Sequence, residues 1–166
     1  MKHVAHTGAV LLLLSALALP AAGCSATGEL LSRFGVGTSA AEEETARAQS
    51  TLKEFFSAWA AEDDKAVEAL LVESRRGMDW QFEKLDRIEF GDAEEAPEEV
   101  TEYLKSGVGK VTGAERDDVR CFRADVTFYY TEGVGMGAAP AGEPQGWLWF
   151  LERDDAGEWY VTQWGY

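Results

Sequence analysis

Histidine occupies only two of the 166 positions, His3 and His6, and cysteine only two, Cys24 and Cys121. Both histidines fall within the first 23 residues. This stretch has Lys2 in a short polar head, an apolar run from Ala9 to Leu19, and Pro20-Ala21-Ala22-Gly23 before Cys24. It reads as a secretory signal, residues 1–23, with an apolar run too short to span a bilayer. A mature chain that has lost it has no histidine, which excludes Ser-His-Asp and Cys-His catalysis and a histidine-ligated zinc site. Positive charge is scarce as well. Fifteen Lys and Arg face thirty Asp and Glu, for a formal net charge of −15, and loss of Lys2 makes the chain one unit more negative. Such a surface argues against nucleic acid as a partner and against charge-driven binding to an anionic membrane face. The nucleotide and calcium motifs fail too. Gly109-Lys110 is followed by Val111 where a phosphate loop needs Ser or Thr, and Leu104 stands where its first glycine belongs. Gly133, Gly135 and Gly137 lead through Ala138-Ala139-Pro140 into a turn and not into a helix. The acidic run Asp92–Glu99 lacks calcium-loop spacing and reads as a solvated loop. Nothing here calls for a metal or a cofactor.

Small residues followed by Cys24 resemble the lipobox of bacterial lipoproteins, with Ala21 standing where that motif more often has leucine. The resemblance implies that Cys24 is the lipid-modified first residue of the mature chain, placing it on the extracytoplasmic side of the cell membrane. The alternative is ordinary signal cleavage near Ala18 or Ala22, which leaves Cys24 a free thiol. With Cys24 lipidated, Cys121 stands alone and no internal disulfide forms, although the compartment is oxidising. Cys121 then reads as a small buried residue, and a reactive thiol would need a cation such as Arg120 or Arg123 beside it. Residues 24–41, rich in Gly, Ser, Ala and Thr, read as the lipidated cysteine and a flexible tether reaching at most roughly 60 Å. Residues 42–166 read as one domain.

From Glu42 the pattern is helical. Ala48, Leu52, Phe55, Phe56, Trp59 and Ala60 form one stripe as far as about Glu62, and Asp63 or Asp64 caps a second helix over Lys65–Glu73. Met78–Leu85, with Trp80, reads as a loop or short strand, and Arg87–Asp92 as a strand. Glu98–Ser106 reads as a short helix with Val100, Tyr103 and Leu104 inward. Three strands are expected at Arg120–Tyr130, Gln145–Arg153 and Glu158–Tyr166. The first two are joined by the long connection Gly133–Gly146, and the last two by a tight turn at Asp154–Gly157. In the first strand Phe122, Ala124, Val126, Phe128 and Tyr130 share one face, expected to meet the helices. Asp125 and Tyr129 lie on the polar face, pointing away. Helices before an antiparallel meander give an α+β fold with the helices on one face of the sheet.

Between about Thr45 and Tyr166 the chain resembles bacterial domain-of-unknown-function family 4829. The resemblance rests on Leu52-Lys53-Glu54-Phe55-Phe56 with Trp59, Glu102-Tyr103-Leu104-Lys105-Ser106-Gly107, Trp147-Leu148-Trp149-Phe150-Leu151, and Trp159-Tyr160-Val161-Thr162-Gln163-Trp164-Gly165. It also resembles the cone-shaped nuclear-transport-factor-2-like (cystatin-like) fold, which implies a curved antiparallel sheet wrapped around the N-terminal helices with a cavity at its open end. The family carries no catalytic signature.

Two readings of function come from aromatic surplus. An apolar cavity near Trp59, Trp80, Tyr103, Tyr130 and Trp149 would bind a small apolar ligand. Trp147 and Trp159, expected on a sheet face the helices do not cover, would meet an envelope protein or a second copy in a homodimer; otherwise they lie flat beside Arg123 and Arg153. The expected role is a non-catalytic binding or interaction module. The alternatives are an isomerase, dehydratase or hydrolase using carboxylate and tyrosine groups in the cone, and a purely structural, oligomer-forming envelope protein. The anchor is tested by fractionation: Cys24→Ala is expected to leave the membrane fraction and to lose the lipid mass, whereas a variant that stays membrane-bound at its original size refutes lipidation.

Overall fold

The computed structural model describes residues 39–131 and 140–165. The signal segment, Cys24, the tether as far as residue 38 and residues 133–139 of the Gly133–Gly146 connection lie outside the described residues. In chain order the elements are α1 (Ala40–Ala60), α2 (Asp64–Ala69), β1 (Leu85–Phe90), β2 (Glu94–Glu95), α3 (Val100–Lys105), α4 (Gly107–Thr112), β3 (Val119–Tyr130), β4 (Gln145–Arg153) and β5 (Trp159–Gly165), with single 3-10 turns at Glu73–Arg75, Phe82–Lys84 and Arg116–Asp118. The fold is α+β, with a curled antiparallel sheet against helices.

α1 begins two residues before the expected Glu42 because Ser39 and Glu42 form a reciprocal cap. The Ser39 hydroxyl accepts from the Glu42 amide at 3.2 Å, and the Glu42 carboxylate accepts from the Ser39 amide at 2.6 Å, which satisfies two of the free N–H groups at a helix start. Its buried stripe is Ala48, Leu52, Phe55, Phe56, Ala58 and Trp59. α2 is capped by Asp63, whose carboxylate accepts from the Ala66 amide at 3.1 Å. It ends well before the expected Glu73 because the chain is drawn into a parallel bridge with β5. Val161 N–H donates to Leu70 O at 2.9 Å and Val72 N–H to Val161 O at 3.2 Å. That bridge occupies an edge of β5 and buries Leu71.

The sheet order is β1-β3-β4-β5, with β2 paired to β3 beyond β1. Phe122 pairs with Trp149 and Ala124 with Trp147, and directly opposed residues share a face. Trp147 and Trp149 therefore join Phe122, Val126 and Phe128 on the side that meets α1. β5 carries a bulge: Leu151 pairs with Val161 but Phe150 with Gln163, leaving Thr162 unpaired between them. The extra residue shifts the alternation by one. Trp164 thus lies on the same side as Trp159 and Val161, where strict alternation would have put it opposite them.

The other face of β3 and β4 has its own cover. The expected helix at Glu98–Ser106 is the shorter α3, and α4 follows it as a further helix the sequence reading did not expect; together they fold over a second cluster of Ala96, Val100, Tyr103, Val119, Cys121 and Phe150. The Tyr103 ring stacks on Phe150 with centroids 4.3 Å apart and planes 9° from parallel. Its hydroxyl donates to Glu152 Oε1 at 2.6 Å and lies 2.8 Å from Thr162 Oγ1, while Thr112 donates to the same Glu152 oxygen at 2.9 Å. The glycine at 109 serves this contact, since a Cβ there would lie 2.7 Å from the Tyr103 ring carbons. Only glycine lets α4 pass so close.

Tyr103→Phe keeps the ring stack and removes the hydroxyl that links α3, β4 and β5. It is expected to lower unfolding free energy by about 1–3 kcal/mol, the range for leaving buried partners unpaired, as measured by urea denaturation. An unchanged midpoint would mean the hydroxyl network contributes nothing to stability.

Candidate functional site

The aromatic interior comes from four parts of the chain. α1 delivers Phe55, Phe56 and Trp59 from successive turns, β4 delivers Trp147 and Trp149, β5 delivers Trp164, and the irregular segment between Gly77 and Phe82 inserts Trp80. Trp59 meets Trp80 edge to face at 4.8 Å and Trp149 at 6.2 Å. Phe82, Trp80, Trp164 and Trp149 follow one another in a near-parallel series, with centroids 6.4, 5.7 and 6.1 Å apart. Pairs of this kind contribute about 0.5–1.5 kcal/mol each beyond burial.

Four of the five residues expected to line a cavity, Trp59, Trp80, Tyr130 and Trp149, meet on this side of the sheet, with Tyr130 half-buried against the cluster. Tyr103 is on the opposite side, because α3 packs on the outer face. Trp59, Trp80 and Trp149 are at most 4% exposed. Five recesses open between the described elements, and none of these five is lined by any of those three. The indole N–H groups of Trp59, Trp80 and Trp149 are buried without a hydrogen-bond partner among the described residues. Such a donor costs about 1–3 kcal/mol, offset in part where an edge-to-face neighbour offers its π face.

The two tryptophans expected on the uncovered face are both on the helix side. Trp159 is buried, with its indole N–H donating to Glu44 Oε2 at 3.2 Å and the guanidinium groups of Arg120 and Arg153 lying 5.4 and 5.7 Å from its ring centroid. Trp147 is half-buried, 5.4 Å from Phe128. Strand register decides this: Trp147 opposes Ala124 on β3, and Trp159 opposes Arg153 across the β4–β5 turn.

Carboxylate and tyrosine do meet in a part-buried setting at Tyr103 and Glu152. Burial first, and the Glu152 hydrogen bond second, push the Tyr103 phenol above its ordinary range, so it stays protonated. The recess beside it, about 220 Å³, is bordered by Tyr103, Phe150, Leu148 and Gln163 on the outer side of the sheet. Asp125 is exposed on β3, opposite Gly146.

A larger groove, about 470 Å³, lies between the first half of α1, the Glu95–Pro97 segment and the start of β3. Ala46, Val100 and Val119 give it an apolar floor over the buried Cys121. Glu42, Thr45, Gln49, Glu95, Arg116, Asp117 and Arg120 give it a polar rim. The rim is braced from below: Arg120 Nε donates to Thr45 Oγ1 at 3.1 Å and its Nη1 to Val119 O at 2.8 Å, while Gln49 donates to Ala93 O at 2.6 Å and Arg116 to Thr101 Oγ1 at 2.8 Å. Apolar floor, convergent polar groups and volume match those of small-molecule sites. Sequence reading passed over this groove. Its one local sign is the i, i+4 pair Thr45 and Gln49 flanking the apolar stripe of α1.

Among the described residues no three His, Cys, Asp or Glu side chains converge as metal ligands. None of their helices is long and apolar enough to cross a membrane. A family model described as Domain of unknown function (DUF4829) matches residues 49–165. No curated protein and no solved structure matches the chain.

Burial, with Glu99 and Glu98 adding to it, pushes the Cys121 thiol up to about 12, so thiolate is scarce at pH 8. Cys121 is therefore expected to resist maleimide in the folded chain at pH 8 and to react fully in denaturant. Mass spectrometry reads both, and rapid labelling of the folded protein would contradict the assignment of an inert core thiol.

Proposed function

The chain belongs to that family, described only as a domain of unknown function, and from this premise we propose that it is a non-catalytic binding module. It is held outside a bacterial cell by a lipid on Cys24 and folded as a nuclear-transport-factor-2-like cone. The observation that carries the reading is the groove of about 470 Å³ beside α1, which alone among the five recesses between the described elements combines an apolar floor with two arginines on its rim. Its ligand is a small amphipathic molecule, with the apolar part on Ala46, Val100 and Val119 and an acceptor or anionic group against Arg116 and Arg120.

Support for the non-catalytic reading comes from the Tyr103–Glu152 pair. Both groups are engaged with Thr162 and Thr112, and the phenol is held protonated, so neither is poised as an acid or base toward a substrate. The lipid anchor rests on the sequence before Ser25, and the cone on the curled antiparallel sheet around α1.

The groove is tested with 8-anilino-1-naphthalenesulfonate, an apolar ring system bearing an anion. Ala46 is an exposed helix position, so Ala46→Trp fills the groove without burdening the core. The dye is expected to bind the unsubstituted chain with enhanced fluorescence and to lose at least tenfold in affinity on Ala46→Trp, with the thermal midpoint unchanged. Equal binding by both proteins, or by neither, would overturn the assignment.

A further inference from the structure

Trp80 is held differently from the other interior tryptophans. Trp59 sits on a 21-residue helix and Trp149 on a central strand, whereas Trp80 lies in a segment outside regular structure, between α2 and β1. The main chain of Met78, Asp79 and Trp80 makes no hydrogen bond to other described residues. Bonds resume at either end, where Gly77 N–H donates to a Glu68 carboxylate oxygen and Lys84 N–H to Gln81 O. Within it the Asp79 carboxylate accepts from the Gln81 amide at 3.0 Å, and what ties the segment to the rest of the domain is burial of one indole ring.

Both ends are also unusual in conformation. Gly77 has φ +75° and Gln81 φ +50°, with Gln81 one of two non-glycine residues at positive φ among those described. The left-handed region is strained for a glutamine, and strain of this kind gathers at switches and clamps. Between these two points Met78 is partly exposed while Trp80 is buried among Phe55, Trp59, Phe82 and Trp164. What Trp80 covers carries an unmet need: the Trp59 and Trp149 indole donors have no acceptor among the described residues, and neither does that of Trp80 itself. Phe55 touches all three rings, at 5.5, 6.1 and 5.9 Å, so withdrawing Trp80 uncovers aromatic faces beside two buried donors.

From this we infer that Met78–Gln81 is a gate hinged at Gly77 and Gln81, with Trp80 as its plug, and that its withdrawal opens a site between Phe55, Trp59 and Trp164 for a flat aromatic molecule carrying a hydrogen-bond acceptor. The acceptor meets an indole N–H that the closed form leaves unsatisfied, and the ring replaces the stacking lost with Trp80. This site is separate from the groove beside α1, and it stands or falls without it. Coupling of ligand to a minor open state lowers apparent affinity by the open fraction, so removing the plug strengthens binding.

Two measurements decide it. Trp80→Gly is expected to bind 2-acetylnaphthalene at least tenfold more tightly than the unsubstituted chain does, with the Trp59 indole N–H resonance moving downfield. 2-Ethylnaphthalene, the same shape without the carbonyl, gains little and leaves that resonance in place. A folded Trp80→Gly chain that binds neither, or both alike, overturns the ligand class. In the unsubstituted full chain, the Trp59 and Trp80 indole protons are expected to exchange with solvent through a denaturant-insensitive opening, at least tenfold faster than the Val126 and Leu151 amides. Exchange of all four only through global unfolding overturns the gate, and this second measurement decides the matter alone should Trp80→Gly fail to fold.

Discussion

The structure depends on one contact: α1 laid into the curl of the sheet, with Phe55, Phe56 and Trp59 projecting among the side chains of β3, β4 and β5. Phe56 stacks on Phe90 at 4.0 Å with planes 7° apart, and Trp59 reaches Phe90, Phe128, Trp149 and Trp164 at 6.0–6.3 Å. An amphipathic helix in isolation is marginal, and a sheet with one oily face is insoluble alone; each becomes stable against the other. The rest of the domain is arranged so that this contact closes on all sides. α2 and the Leu71–Val161 bridge cover β5, while α3 and α4 cover the far face of β3 and β4.

Closing the second face required devices of a different kind. α3 and α4 are six residues each, too short to hold themselves. They are fastened by the Tyr103 ring on Phe150, by its hydroxyl to Glu152, and by the glycine at 109 that lets the next helix lie against the ring. A glycine-lysine pair that looks like a broken nucleotide motif thus has a packing reason. Around the groove the same economy appears, since Arg120 braces Thr45 and also lies over Trp159, joining the rim of the groove to the main core.

Much of the fold was legible along the chain. The alternation in β3 and the three-four spacing in α1 are local consequences of backbone period, and Asp63 and Asp154 cap or turn the chain through their own side chains, whereas the Ser39 cap that starts α1 two residues early was not read. The candidate sites were less so. Trp59, Tyr130 and Trp149 do gather, because residues on one face of a helix and one face of a sheet must meet, and Trp80 joins them from an irregular segment. Tyr103 could not be assigned a side from spacing, since a short helix can pack on either face of the sheet. Trp147, Trp159 and Trp164 turned on register and on a single bulge, which depend on partners in another strand. The groove beside α1 was invisible because its walls come from three separate segments.

The sequence by itself determined the α+β order, the identity of the helix-facing stripe, the absence of histidine after residue 6, and the absence of nucleotide and calcium signatures, because each follows from residue type and spacing within one short stretch. The tertiary structure alone decided which face each tryptophan of the last two strands takes. It also decided that the interior is filled by interlocking rings with Trp80 as the least anchored of them, and that an open groove lies at the side of α1. Those properties belong to pairs of segments, and the energy of a pair is not written in either member.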